Sequence, residues 1–292
     1  MAIAKSLTTR EVARLCRISD ATVKRWEDAG LLNSERTSGG HRRFRAEEIA
    51  RFQRGQQLGL KLSHGDESVA KVKTRRRENK NHSPCLFFQS LVAGAEEEAS
   101  NWLISAYLRG TQAADIFDDL ICPAMNRIGE LWYKGELTVA QEHLATRTAC
   151  NAIHKMRVTL PVPEMNGELA MCCGVEGDFH ELPTHLAQIT IENEGWEVFN
   201  FGTNMPLYSL AEEVLQHSPQ AVCVSATLMP DIERLARDYK DFRERICKLQ
   251  ISVIVGGRAF ADEQIRRRFP ADLYAENFAD VARFVKRISV EK

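Results

Sequence analysis

The sequence lacks several features that would place a protein in a special class. No run of eighteen apolar residues occurs, which excludes a membrane-spanning helix, and the first residues lack the apolar core of a secretory signal. Its eight cysteines are scattered, which predicts the reduced, packed thiols of a cytoplasmic protein rather than a disulfide framework. They are Cys16, Cys85, Cys122, Cys150, Cys172, Cys173, Cys223 and Cys247. With 292 residues, 27% charged and 44% apolar, the chain is expected to be globular, with two or three domains.

Net charge is also nearly absent, at −1, but this value conceals an asymmetry. Residues 1–80 carry 19 Lys and Arg against 10 Asp and Glu, whereas the rest of the chain carries 20 against 30. A basic head joined to an acidic body predicts a nucleic-acid-binding segment attached to a domain with a different task.

The residue pattern divides the chain into four segments. Residues 1–62 form the head, and residues 63–84 are polar and basic, as is typical of a flexible linker. Residues 85–160 carry apolar side chains at helical spacing with short connections, which predicts a four-helix bundle. Residues 161–292 alternate strand-like runs with amphipathic segments, which predicts a Rossmann-like, flavodoxin-like α/β domain with a parallel sheet.

Ligands of such sheets bind beyond the carboxyl ends of the strands, near the point where the strand order switches. The relevant strand-like runs are ELAMCCG, WEVFNFG, QAVCVSA and ISVIVGG. We therefore expect the chemistry of this domain in the loops after Gly174, Gly202, Ala226 and Gly257.

The head has the pattern of a winged helix-turn-helix. A first helix is predicted from about Thr9 to Cys16, and Ser19 or Asp20 caps a second helix whose outward side chains suit a DNA major groove. A tight Gly39–Gly40 turn flanked by cations suits a wing that holds phosphates. The candidate DNA-contacting residues are Thr22, Lys24, Arg25, Arg36, His41, Arg42 and Arg43.

The stretch VARLCRISDATVKRWEDAGLL followed by RTSGGHRRF resembles the MerR family of transcriptional regulators, in both sequence and order. The resemblance covers roughly residues 7–60. It implies a homo-oligomer, a dimer or a tetramer, that binds a palindromic double-stranded DNA operator.

Two places in the body could hold a metal. MerR-type proteins often sense metals through cysteines, so Cys172 and Cys173 are candidates for zinc or copper. Adjacent residues of a strand face opposite sides, however, which favours two packed core residues. The loop GVEGDFHELPTHL instead puts Asp178 and His180 at the end of a strand, where an imidazole can bind a metal while Asp178 holds its other nitrogen.

Further candidate cofactor-binding residues occupy matching loops or the helical segment. In the loops, glycine lets a ligand approach the backbone because it has no Cβ. These candidates are Ser225, Thr227, Gly256, Gly257, Trp132, Glu142 and His143.

About residues 85–290 resemble the cobalamin-binding module of corrinoid-dependent regulators and methyltransferases, in which a helical bundle covers a Rossmann-like domain. DFHELP is similar to that family's Asp-x-His-x-x-Gly motif, which implies that His180 is the lower axial ligand of cobalt and Asp178 its partner. The resemblance implies that the serine, threonine and glycine candidates line the slot for the dimethylbenzimidazole tail. The spacing of Trp132, Glu142 and His143 is similar to that of the CarH-type photoreceptor regulators, where these residues lie against the adenosyl group.

The chain departs from the family pattern at two positions. Pro183 stands where the motif has glycine, and proline is tolerated in the first turn of a helix but can crowd the nucleotide tail. Tyr133 stands where light-sensing relatives can carry a histidine, and a phenol with a pKa of about 10 is a poorer cobalt ligand than an imidazole.

The resemblance implies a cytoplasmic transcriptional regulator, a repressor without enzymatic activity, that uses adenosylcobalamin as its cofactor. In this interpretation the adenosyl form favours a tetramer that binds the operator in the dark, and light releases DNA by cleaving the cobalt–carbon bond. Three alternatives stay open. They are a cobalamin-independent regulator whose body mediates oligomerisation or protein contacts, a cobalamin sensor that does not use light, and a corrinoid methyltransferase subunit.

Overall fold

The computed structural model describes residues 6–16, 20–28, 32–37, 39–45, 48–49, 85–161 and 163–290. These residues form two compact units. The first unit contains the described residues up to 112 together with 119–161, and the second contains 113–118 together with 163–290. The linker predicted over residues 63–84 lies outside the described residues.

The N-terminal part of the first unit combines two helices with a small antiparallel sheet in the order β1-β3-β2. Its elements are β1 (Leu7–Thr8), α1 (Thr9–Cys16), α2 (Asp20–Asp28), β2 (Glu35–Arg36) and β3 (Arg42–Phe44). The start of α1 is capped because the backbone N–H of Glu11 donates to Thr8 Oγ1 and that of Thr8 donates to the Glu11 carboxylate. Val12, Val23 and Phe44 are fully buried, so the apolar faces of both helices and of the sheet form one small core.

Residues 85–159 are mostly helical. Residues 85–92 form α3, followed by α4 (Glu96–Leu108), α5 (Ala113–Ile116), a π-helical turn (Phe117–Ile121), α6 (Cys122–Tyr133) and α7 (Val139–Thr159). Residues 113–118 of this stretch belong to the second unit and the others to the first. Thr138 starts α7 with a capping box, in which it exchanges hydrogen bonds with Gln141. The buried face of α7 consists mostly of small residues such as Ala145, Ala149 and Ala152, which lets α4 pack closely against it.

The second unit contains the parallel sheet that the sequence predicts, with strand order β5-β4-β6-β7-β8 in the described residues. Its strands are β4 (Leu169–Gly174), β5 (Glu197–Asn200), β6 (Ala221–Ser225), β7 (Ser252–Gly256) and β8 (Leu273–Ala275). The helices are α8 (Leu182–Glu192), α9 (Leu207–His217), α10 (Ile232–Ile246), α11 (Glu263–Arg266) and α12 (Phe278–Val290), with a 3-10 turn over Arg258–Phe260. The strand order reverses between β4 and β6, which makes the carboxyl ends of these two strands the switch point.

Helices cover both faces of the sheet. One buried core joins Cys173 to α9 and α10, and the other joins Cys172 to α8 and α12. The prediction that the adjacent cysteines face opposite sides is therefore confirmed. Burial raises the pKa of the Cys173 thiol to about 12, as expected for a packed thiol rather than a metal ligand.

In the part of the chain that the structure describes, no helix is both long and apolar enough to span a bilayer.

Candidate functional site

The loops at the switch point carry the candidate cofactor residues. Gly174 at the end of β4 pairs with Ser225 at the end of β6, so the loops that follow both strands start side by side. Asp178, His180 and Thr227 all lie in these two loops. Switch points are where doubly wound sheets bind their ligands, because the loops diverge there and leave a crevice.

Asp178 and His180 form a close pair in the first of these loops. His180 Nδ1 lies 2.5 Å from Asp178 Oδ1. The Asp178 side chain is only 3% exposed, whereas that of His180 is 49% exposed. A buried carboxylate thus holds an imidazole whose ring faces outward.

Backbone amides complete the surroundings of the Asp178 carboxylate. Thr227 N–H donates to Oδ2 over 2.6 Å and Leu228 N–H over 3.3 Å, while His180 N–H donates to Oδ1 over 3.1 Å. Burial by itself raises the pKa of Asp178, but the hydrogen bonds from the His180 ring, Thr227 and His180 outweigh it and lower the pKa. The carboxylate is therefore ionised and can orient the imidazole.

This arrangement fits a single axial metal ligand. A carboxylate at Nδ1 favours the tautomer with a proton on that nitrogen, so a metal ion would coordinate Nε2. The carboxylate also raises the basicity of the ring, as second partners of metal-binding histidines commonly do. Asp178 and His180 thus have the donor chemistry of a metal-binding histidine with its carboxylate partner, and their role toward cobalt stays a prediction.

Asn204 holds the same loop from the other side, and our sequence reasoning did not select it. Its Oδ1 accepts from Gly177 N–H over 2.9 Å, and its own N–H donates to the Asp178 carbonyl over 3.0 Å. The sequence signal was weak: the loop after Gly202 was expected to matter, but nothing in its composition indicated which residue.

The glycine pair after β7 has a structural cause. Gly257 has φ +103°, and a Cβ there would overlap the Ala226 carbonyl oxygen, whereas a Cβ on Gly256 would only make ordinary contact with Ala275. Ala226 N–H donates to the Gly256 carbonyl over 3.0 Å, which fixes the β6 and β7 loops together. Ser225 and Thr227 are half-buried in the neighbouring loop, so their position relative to a cofactor tail stays a prediction.

Pro183 lies in the first turn of α8, as expected, and leaves the helix intact from Leu182. Two large apolar side chains in the switch-point loops are exposed, Phe179 to 74% and Leu228 to 57%. Exposed apolar side chains next to a polar pair such as Asp178 and His180 are typical of a ligand-binding surface.

The first unit holds the remaining cofactor candidates. Trp132 lies near the end of α6 and is 47% exposed, and its neighbour Tyr133 is 87% exposed. Glu142 and His143 lie near the start of α7, with His143 Nδ1 2.6 Å from Glu142 Oε2. Thr146 Oγ1 donates to the other oxygen of Glu142 over 2.8 Å, which fixes this carboxylate.

The candidate DNA-contacting residues differ in their surroundings. Lys24 on α2 and His41 in the β2–β3 turn are exposed, as is Arg36 on β2, whereas Arg43 on β3 is half-buried. The turn itself includes Gly40 at φ +76°. Thr22 and Arg25 belong to α2, but their side chains lie outside the described residues.

Arg42 is engaged within the head. It forms ion pairs with the carboxylates of Glu27 and Asp28 at the end of α2, and its side chain is 21% exposed. Ser34 Oγ donates to Glu27 over 2.7 Å. The Ser34 hydrogen bond and the Arg42 and Arg36 charges hold the pKa of Glu27 below its usual value.

Two stretches of the chain match known protein families. Residues 8–44 match the family described as MerR family regulatory protein, and residues 87–155 match the family described as B12 binding domain. The first stretch contains all candidate DNA-contacting residues, and the second contains Trp132, Glu142 and His143. Asp178 and His180 lie outside both stretches.

Individual proteins are similar over longer ranges. The HTH-type transcriptional repressor CarA of Myxococcus xanthus is 27% identical over 261 residues, which cover 86% of each chain. Dimethylamine corrinoid protein 1 of Methanosarcina mazei is 22% identical over 183 residues, or 62% of this chain and 84% of that protein. Among solved structures, the monomethylamine corrinoid protein of Methanosarcina barkeri matches with a TM-score of 0.59 and 19% identity, over 69% of this chain and 96% of that one. That structure shows the fold shared with the body of this chain.

Proposed function

We propose that this chain, which joins a MerR-family regulatory domain to a B12-binding domain, is a cytoplasmic DNA-binding transcriptional repressor controlled by cobalamin. The order of the two domains and the similarity to a repressor along 86% of the chain support this function. The observation that carries it is the buried Asp178 carboxylate on His180 Nδ1, at the switch point of a parallel sheet.

Each group of candidate residues has a role in the proposed complex. His180 would hold cobalt through Nε2, and Asp178 would orient its ring. The residues at the ends of β6 and β7 border the nucleotide tail; they are Ser225, Thr227, Gly256 and Gly257. Trp132, Glu142 and His143 would contact the adenosyl group, as the sequence resemblance implies.

The finer part of the proposal is a response to light. Adenosylcobalamin, when bound, supplies a cobalt–carbon bond that light can break. Side chains that touch the adenosyl group would make different contacts before and after light removes it. Such a difference shifts an equilibrium between two conformational states of the protein. We propose that these states differ in oligomeric state and in affinity for the operator. A two-fold homo-oligomer would present two heads to a palindromic site.

A second candidate function is a methyl-carrying corrinoid subunit. The similarity to the dimethylamine corrinoid protein favours it, because it covers 84% of that protein. That similarity leaves the MerR-family segment of this chain unexplained, however, and a regulator accounts for both parts. Catalytic turnover with a methyl donor would favour the carrier function.

The experiment that tests the proposal is an absorption spectrum of the purified protein after mixing with adenosylcobalamin in the dark and desalting. We expect a retained corrinoid whose spectrum changes on illumination. His180→Ala should abolish the cobalt–imidazole signature, and Asp178→Asn should weaken binding by about 10- to 100-fold. His185→Ala is the matched control, because His185 also pairs with a carboxylate, Glu181 over 2.9 Å, but on α8.

The remaining outcomes separate the alternatives. A retained corrinoid with the same oligomeric state and operator affinity in the dark and in light would indicate a sensor that does not use light. A wild-type protein that retains no corrinoid but binds its operator would indicate a cobalamin-independent regulator, with Pro183 marking the altered motif.

A further inference from the structure

We propose that Asn204 is a positioning residue, which holds the loop carrying Asp178 and His180 and thereby slows the release of cobalamin. The inference rests on the proposed function, because it concerns the same site. Asn204 is not expected to touch cobalt or the corrin; it acts through the backbone of residues 177–178.

Two hydrogen bonds place Asn204 on either side of one peptide unit. Its side chain accepts from Gly177 N–H over 2.9 Å, and its main chain donates to the Asp178 carbonyl over 3.0 Å. The Asp178 carboxylate is meanwhile held by the amides of Thr227 and Leu228. Asp178 is therefore fixed at its backbone by the loop after β5 and at its side chain by the loop after β6.

The backbone around Asn204 is adapted to this contact. Asn204 has φ +55°, a left-handed conformation that asparagine tolerates better than most residues. Gly177, its hydrogen-bond donor, has φ +84°. Ser218 is the other residue with a positive φ among the described non-glycine residues, and it ends α9. A helix end explains Ser218, whereas no helix ends at Asn204.

Further backbone bonds bring the loop after β5 alongside β4. Gly174 N–H donates to the Gly202 carbonyl over 2.7 Å, and Met205 N–H donates to the Gly174 carbonyl over 2.9 Å. These bonds do not involve the Asn204 side chain, so they should persist when it is removed. Loss of the side chain should then loosen residues 177–180 without displacing the loop after β5.

This geometry links Asn204 to the metal ligand. The His180 ring takes its orientation from Asp178, and an imidazole binds a metal well only when its ring is held in the correct direction. Removing the Asn204 acceptor frees the Gly177 amide, one of the two hydrogen bonds by which Asn204 holds residues 177–178. We therefore expect faster cobalamin release and a larger fraction of protein in which His180 does not ligate cobalt.

The experiment compares three variants with the wild-type protein. Asn204→Gly keeps the left-handed backbone but loses the acceptor, and should release cobalamin about 5- to 10-fold faster, as expected for one lost hydrogen bond. Asn204→Asp keeps an acceptor oxygen and should release cobalamin at close to the wild-type rate. Ser218→Gly removes the other positive-φ side chain and should leave release unchanged.

Two further readouts separate positioning from loss of fold. In protein labelled with 15N-histidine, the 15N splitting in the electron paramagnetic resonance spectrum of the Co(II) form reports His180 ligation, and it should weaken in Asn204→Gly only. Hydrogen exchange of the cofactor-free protein should show faster exchange at Gly177 in the same variant, while the strand amides stay protected.

Wild-type release and ligation in Asn204→Gly, with exchange at Gly177 unchanged, would overturn the inference. A wild-type protein that retains no cobalamin would instead overturn the proposed function. In that case the exchange of Gly177 still decides whether Asn204 holds the loop.

Discussion

At the scale of single residues, the Asp178 carboxylate determines what the switch-point loop can bind. A buried ionised carboxylate is unfavourable unless donors surround it, and here backbone amides from two loops and the His180 ring supply them. Because the amides hold both oxygens in place, the carboxylate in turn fixes the imidazole. The preference for a single direction of the His180 ring is thus built into the protein before any ligand binds.

Arg42, a candidate DNA contact beside α2, has carboxylate partners within the head. Its pairs with Glu27 and Asp28 tie β3 to the end of α2, and Glu27 is only 15% exposed. Ser34 adds a third attachment at the same carboxylate. We infer that Arg42 sets the angle between the β2–β3 hairpin and α2, whereas Lys24 is free to meet phosphate or base edges.

The salt dependence of DNA binding distinguishes these two roles. Each phosphate contact adds about 0.9 to the slope of log K against log salt. Lys24→Ala should therefore reduce both the affinity and the slope. Arg42→Ala should reduce the affinity and leave the slope unchanged, because it misplaces the hairpin without removing a phosphate contact.

The measurement is fluorescence anisotropy at several salt concentrations, with a duplex selected for binding by the wild-type protein. A slope that falls by the same amount in Arg42→Ala as in Lys24→Ala would show that Arg42 contacts phosphate after all.

Pairings between residues of the site were predictable from sequence only where the two partners are close in the chain. Asp178 and His180 are two positions apart, so their pairing follows from local geometry after a strand. Asn204 lies 27 residues from Gly177, and its contact depends on the neighbouring positions of β4 and β5. The pairing of Arg42 with Glu27 likewise requires the folded head, and the DNA contact expected of Arg42 from its place beside the Gly39–Gly40 turn stays a prediction.

At the scale of elements, α12 is attached to the π-helical turn, and nothing in the sequence indicates this contact. Asp118 accepts from Phe278 N–H over 2.9 Å and from Ala279 N–H over 3.0 Å, so it caps the first turn of α12 from 160 residues away. The rings of Phe117 and Phe278 meet edge to face at 5.9 Å. Both contacts hold residues 113–118 within the sheet-containing unit.

Loss of this cap should destabilise the protein. Asp118→Ala leaves two amide groups at the start of α12 without their acceptor, which should lower the free energy of unfolding by about 1–2 kcal/mol. Asp119→Ala is the matched control, because Asp119 is the exposed neighbour in the same turn. Urea denaturation measures both, and an equal loss in the two variants would contradict the capping role.

The strands and most helices followed from periodicity, whereas the π-helical turn did not. The runs ELAMCCG, WEVFNFG, QAVCVSA and ISVIVGG each contain a strand of the sheet, because a buried parallel strand needs a continuous apolar run. Ile116 and Leu120 are spaced as in an ordinary α-helix, so nothing local indicated a wider turn. The turn lies where the chain passes from residues of one unit to residues of the other.

At the scale of the whole molecule, the division of charge matches the proposed division of tasks. A basic head suits the phosphate backbone, and an acidic body is repelled by it, so DNA should contact the head alone. Control of the head by the body must then be a coupling free energy between two sites rather than competition for one surface. The proposed function therefore requires that cobalamin binding and DNA binding affect each other in the full chain.

This mutual effect must be equal in both directions, which yields a prediction about cobalamin binding. If adenosylcobalamin in the dark raises the affinity for operator DNA by some factor, the operator must raise the affinity for adenosylcobalamin by the same factor. Equilibrium titrations of cobalamin with and without operator duplex, at fixed salt and protein concentration, measure one factor, and DNA titrations of apo and loaded protein measure the other.

His180→Ala should reduce both factors together, whereas Arg42→Ala should lower DNA affinity and leave the factors equal. Unequal factors would mean that a further equilibrium, such as assembly at a different protein concentration, lies between the two sites. A factor of one in both directions would mean that the body does not control the head.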